Sequence, residues 1–207
     1  MNKVLSIAAI VALVTTLSFA QEGGPKFGIR AGFNFYDPTG DDAKEFDMGF
    51  GAGGGIVASI PITGFLSFNP ELNFFYRRLL SMSESEGGYK VEAYESEFAL
   101  SIPAMLQVTP IGGVGFYLAA GVQLDVPFSP EFTMKVSGPG VDEEETEKID
   151  DRSTIDFGIA LGLGYNITPN FGIDLRCVIG LTNVIDDSDS DEKMSFNQYG
   201  IGVTYFF

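Results

Sequence analysis

The sequence predicts an all-β fold: an eight-stranded antiparallel up-and-down transmembrane β-barrel after a signal peptide. Three observations predict it. The chain opens with an export segment. The remainder alternates apolar with small or polar residues in eight runs. The connections between those runs alternate between short and long.

The 207 residues are one domain's worth of chain. Beyond the N-terminus no stretch approaches the ~18–20 apolar residues of a membrane helix. Phe, at 19, suits a lipid-facing wall, and Gly, at 26, suits tightly curved strands. A net charge of −16 excludes nucleic acid as a partner, because a polyanion would be repelled. Cys177 is the single cysteine, so no internal disulfide forms. The chain has no histidine, which removes the usual general base and the commonest transition-metal ligand. No catalytic residue and no cofactor is expected.

Residues 1–20 read MNKVLSIAAIVALVTTLSFA. Lys3 gives the positive start, Val4 to Leu17 the apolar core, and Ser18-Phe19-Ala20 small residues at the two positions read by signal peptidase. The expected division is 1–20 signal peptide and 21–207 outer-membrane barrel domain. With no cysteine at the cleavage site, the chain is not expected to be a lipoprotein.

The eight runs are 26–36, 48–60, 65–76, 94–108, 114–127, 154–167, 171–182 and 196–207. The first alternates Phe27, Ile29, Ala31, Phe33 and Phe35 with Lys26, Gly28, Arg30, Gly32 and Asn34. The seventh alternates Phe171, Ile173, Leu175, Cys177, Ile179 and Leu181 with Gly172, Asp174, Arg176, Val178, Gly180 and Thr182. Energetics fix which face is which. An Arg or Lys at mid-bilayer costs ~2–4 kcal/mol, and a slip by one residue would turn Asp174 and Arg176 into lipid. The small, polar face therefore lines the lumen. It carries Arg30, Glu71, Glu97, Asp125, Asp156, Asp174 and Arg176, which are expected to form a hydrogen-bonded charge network.

Short connections lie near 61–64, 109–113 and 168–170; long ones span 37–47, 77–93, 128–153 and 183–195. Short periplasmic turns, long outer loops and an even strand count place both termini in the periplasm of an outer-membrane protein. The long connections, with Glu95, hold 22 of the 28 acidic residues. Five more lie on lumenal positions, leaving the lipid face uncharged. A soluble sandwich would have a polar exterior instead.

The closing run, Gln198 to Phe207, has Gly200 and Gly202, outward Tyr205 and a terminal Phe207. It resembles the signal read by the barrel-assembly machinery, a partner during biogenesis. The opening run, Gly24 to Phe35, resembles the first strand of the PorT-like outer-membrane β-barrel family. Leu100-Ser101-Ile102-Pro103-Ala104-Met105-Leu106 is similar to that family's mid-chain strand, and Gln198–Phe207 to its closing strand. The resemblance implies fold and location, and a link to protein secretion through one member; it carries no catalytic residues.

Several features invite a site. Asp187, Asp189 and Asp191 give a D-x-D-x-D spacing that can wrap Ca²⁺, although Glu192 and Gln198 break the helix–loop–helix calcium pattern. That acidic loop, and Asp142-Glu143-Glu144-Glu145, can bridge divalent cations to lipopolysaccharide. Arg77 and Arg78, placed at the mouth, can meet lipopolysaccharide phosphates or pair with acidic loops. Tyr36, Tyr76, Tyr94, Tyr165, Tyr199 and Tyr205 fit an interfacial girdle. A carboxylate pair such as Glu71 and Glu97 is the nearest thing to an acid–base couple. The expected function is a non-enzymatic structural or surface-interaction barrel, accessory to secretion in one version. The alternatives are a narrow passive channel for small solutes and a soluble lipocalin-like carrier, which would need the reverse polarity.

Overall fold

The computed structural model describes residues 24–40, 43, 46–109, 114–149, 155–182 and 194–207. The segment 1–20 and the triplet Asp187, Asp189 and Asp191 lie outside the described residues.

Nine strands are described: β1 Lys26–Gly40, β2 Gly49–Pro61, β3 Leu66–Glu86, β4 Tyr89–Val108, β5 Gly115–Gly138, β6 Val141–Lys148, β7 Asp156–Asn166, β8 Phe171–Gly180 and β9 Met194–Phe206. All pairings are antiparallel. β5 pairs with β4 on one side and β7 on the other, and β1 closes on β9 from Gly28↔Phe206 to Gly40↔Met194. Eight strands thus form a ring. β6 stands outside it, paired only with the far part of β5 among the described residues.

Period-two alternation sets the wall. On β1, Ile29, Phe33 and Phe35 are exposed outward while Asn34 and Tyr36 are buried inward. The ladder carries that register round the ring, for example Leu161↔Cys177↔Tyr199, all outward. Cys177 is an outward wall residue. Aromatic side chains band both ends of this wall. At one end Phe74 stacks on Phe98 at 5.3 Å, beside Phe128 and Tyr76. At the other, Phe116 meets Tyr165 at 4.9 Å and Tyr205 meets Phe207 at 5.9 Å. Phe116 and Phe128 lie on the same strand. At a rise of ~3.4 Å per residue and a tilt of ~35–45°, the two bands sit ~30 Å apart, a bilayer's hydrocarbon thickness.

β7 and β8, with 11 and 10 residues, match the ~9–11 a tilted membrane strand needs. β3, β4 and β5, with 21, 20 and 24, run to about twice that. Their excess builds a four-stranded sheet standing beyond the wall. Ser81–Glu86 pairs with Tyr89–Tyr94, Lys90–Ser96 with Glu131–Ser137, and Glu131–Gly138 with Val141–Lys148. This corrects the expectation of loops over 77–93 and 128–153. Charge hides β6 from a hydrophobic-pattern reading, since it is VDEEETEK. The turns reveal them: Gly87 and Gly88 both take positive φ, 61° and 86°, as a two-residue hairpin turn requires. The extension begins at two bulges, on β3 between Arg78 and Ser81 and on β5 opposite Ser96–Phe98, where Ser129 takes φ 53°.

At the opposite end two turns reuse one device. Thr63 Oγ1 accepts from Leu66 N at 3.1 Å, and Thr168 Oγ1 accepts from Phe171 N at 3.0 Å. Each Thr follows an Ile and closes its hairpin with a side-chain oxygen.

Candidate functional site

The barrel interior is where charged side chains converge, and it does so in two clusters. The first lies toward the termini. Arg30 on β1 grips the Asp174 carboxylate with two nitrogens, Nη2 donating to Oδ1 at 2.6 Å, and Nη1 also donates to Thr204 Oγ1 at 3.3 Å. Arg176 grips Glu71 with two nitrogens at 3.0 and 2.7 Å. Arg30 Nε lies 3.6 Å from the same Glu71, and Asn73 Nδ2 donates to it at 2.8 Å. Two guanidinium groups balance two carboxylates.

The second cluster lies toward the long strands and pivots on Arg77. Its Nε donates to Glu97, Nη2 to Asp156 Oδ2 at 3.0 Å, and Nη1 to Asp125 Oδ2 at 3.4 Å. Gln123 Nε2 donates to both Asp125 oxygens and to Gln198 Oε1, each at 3.1 Å. Tyr36 stacks against the Arg77 guanidinium with its ring centroid 5.7 Å away. Here one guanidinium serves three carboxylates. A small apolar patch of Met105, Ala160 and Val178 lies in the lumen. Met105 borders the cavity beside the first cluster and Val178 the cavity beside the second. Each of those cavities is about 30 Å³, space on the scale of one or two water molecules.

All seven charges singled out in the sequence lie within these clusters. Glu71 and Glu97 fall in different ones, so the structure does not bring them together as an acid–base couple. Every carboxylate in the two clusters touches an Arg, which holds it as an ion-pair partner rather than a free base.

Arg77 is lumenal rather than at the mouth. It belongs to the inward face of β3 with Glu71, Asn73 and Phe75, and that face is legible from spacing alone. Only Arg78 remains outward, with its guanidinium 3.5 Å from the Tyr94 ring centroid and 5.5 Å from that of Phe50. Tyr36 is also corrected: it is 2% exposed and lumenal, not part of a girdle, because Phe35 before it takes the outward position. Tyr76, Tyr165, Tyr199 and Tyr205 are exposed on the wall.

Gly200 and Gly202 face inward, where a Cβ would overlap Asn34 and the Arg30 guanidinium respectively. Tyr205 and Phe207 are exposed beside them at the end of β9. Asp142, Glu143, Glu144 and Glu145 lie on β6 rather than in a loop, with Lys135 Nζ 3.6 Å from Glu144. Among the described residues no group of three or more Asp, Glu, Cys or His is arranged to hold a metal ion.

A family described as "Outer membrane protein beta-barrel domain" matches residues 19–186. No curated protein sequence matches. Among solved structures, the chain is similar to Ail, the attachment invasion locus protein of Yersinia pestis, at 13% identity and TM-score 0.42, covering 89% of this chain and 99% of that one. It is similar to Neisserial surface protein A at 16% identity and TM-score 0.46, with the same coverages of 89% and 99%. It is similar to OprG from Pseudomonas aeruginosa at 12% identity and TM-score 0.38, covering 90% and 97%.

Proposed function

This chain belongs to the outer membrane protein β-barrel domain family, and from that premise we propose that it is a non-enzymatic, closed integral barrel that works through its long-strand end. One observation carries the reading. The lumen is crossed by two ion-pair clusters, and the cavities beside them are about 30 Å³ each. Cavities of that size hold one or two waters rather than a hydrated solute, as in a lumen filled by side chains. The polarity of the molecule supports an integral rather than a carrier role: its exterior wall is apolar and its interior charged, the reverse of a soluble lipocalin-like barrel.

On this reading the short turns and both termini face the periplasm, and the four-stranded extension stands outside the cell. Residues 1–20 direct export, and the β9 pattern of Gly200, Gly202, Tyr205 and Phe207 engages the barrel-assembly machinery. The opening and closing strands support placement among PorT-like barrels, with an accessory part in protein secretion as one form of the role. Arg78, outward above the aromatic band, is positioned for a lipopolysaccharide phosphate, and acidic positions beyond the band for bridging divalent cations.

The test combines two measurements on the full chain. Unboiled protein from an outer-membrane fraction should migrate anomalously on a denaturing gel, and purified barrel in planar bilayers should give no steady current. Recovery in the soluble periplasmic fraction, or a stable open conductance, overturns the reading; the second outcome would favour the passive channel.

A further inference from the structure

The four-stranded extension has two faces of different character. Side chains directly opposite one another in the ladder share a face, so its composition follows from the register. On the face continuing the lumenal side, the two central strands present Tyr89, Val91, Ala93, Phe132, Met134 and Val136, with buried Glu95 opposite Phe132 at the barrel end. Tyr89, Val91, Phe132 and Met134 are 45%, 39%, 40% and 45% exposed. Flanking them are Glu84 and Glu86 on β3, and Glu143, Glu145 and Glu147 on β6, all exposed. This face has no Lys or Arg. The extension's lysines, Lys90, Lys135 and Lys148, all sit on the other face with Glu92 and Glu144. Among the described residues, an apolar strip between two acidic rails is thus set apart from the extension's lysines.

We infer that this face docks a cationic amphipathic helix. The inference rests on reading this end of the barrel as its outward working surface. Dimensions fit the occupant. β3 and β6 are three strand spacings apart, ~14–15 Å, which spans an α-helix ~10–12 Å across. From Tyr89 to the level of Phe132, six residues along the ladder, the strip runs ~20 Å, about four helical turns. Apolar side chains of such a helix meet Val91, Phe132 and Met134, and lysines or arginines on its flanks meet the glutamate rails. Charge excludes two other occupants. A second copy would set glutamate rails against glutamate rails, and the chain's own Asp186–Glu192 segment carries the same sign.

The probe is a labelled synthetic Leu/Lys amphipathic helix of about 15 residues, with a scrambled isomer of identical composition as control. The full barrel in phosphatidylcholine nanodiscs is titrated with each, empty nanodiscs being subtracted, at low and high salt. The expected result is saturable binding of the helix only, weakened by salt. Replacing the rails (Glu84→Gln, Glu86→Gln, Glu143→Gln, Glu145→Gln, Glu147→Gln) should weaken it by about tenfold or more and remove the salt dependence. Val91→Ser with Met134→Ser should weaken it but keep the salt dependence. Glu92→Gln, Glu131→Gln, Asp142→Asn and Glu144→Gln, on the other face, should bind like the parent. Equal binding of the scrambled isomer, an unaffected rail variant, or no saturable binding overturns the inference. Gel mobility and bilayer silence are read on the same preparations. If they hold while binding is absent, the docking inference alone fails; if they fail, the closed-barrel reading fails first.

Discussion

Arg77 and Arg78 are neighbours in sequence and opposites in environment. Arg77 is 3% exposed and faces three carboxylates; Arg78 lies outward over the rings of Phe50 and Tyr94. Their losses should therefore differ in size. Arg77→Met leaves buried carboxylates without their counterion, a loss of about 3–5 kcal/mol. Arg78→Met removes cation–π contact at a partly exposed site, about 0.5–2 kcal/mol. Urea unfolding in detergent micelles reads both, and a larger loss for Arg78 would mean the inward assignment of Arg77 carries no energetic weight. Gly202 belongs to the same account. It belongs to the terminal strand pattern, and its missing side chain is also the space that the Arg30 guanidinium fills. Spacing exposed the inward face of β9; that a particular arginine from β1 reaches across to it depends on the closing register, which no local pattern contains.

At the scale of elements, the membrane-spanning strands were legible because lipid enforces one apolar face on each. The extension was less so: Tyr89–Ala93 and Phe132–Val136 alternate, but no lipid face ties that pattern to the barrel register, and β6 has a single apolar residue, Val141. The extension's polar face is lined by exposed ion pairs. Lys90 Nζ donates to Glu92 Oε1 at 2.7 Å, and that hydrogen bond holds the Glu92 carboxyl below the usual carboxylate range. The sign follows. A lowered folded-state pKa means the contact is fully present above the unfolded value and is lost as pH falls through the lowered one. Lys90→Met should move the Glu92 titration back up, followed by carbon-detected NMR of the side-chain carboxyl. Global stability should stay unchanged, since the pair is solvent-exposed. A titration indifferent to Lys90 would mean the two side chains do not meet in solution.

At the scale of the molecule, the sequence carried the ring, its polarity and its lumenal charges, because each follows from period two and the cost of charge in lipid. It did not carry the division of those charges into two levels, which depends on stagger between strands as distant as β1 and β8. That division has a functional consequence. The two clusters lie in series along the lumen, so current must cross both, and one intact cluster is enough to block it. Arg77→Met alone should leave the barrel silent in planar bilayers, because Arg30, Arg176, Glu71 and Asp174 still close the other level. Arg176→Met alone should also be silent, closed by Arg77. The two together should pass a small current, and it should favour cations, because five carboxylates then face only Arg30 within the two clusters. Replacing Glu71 and Glu97 by Gln in that double variant removes one carboxylate from each level, offsetting the lost guanidinium charge, and so preserves folding if the double alone loses its gel shift. Current through either single variant would show that the levels do not close the lumen independently, and an anion preference in the double would contradict the charge count.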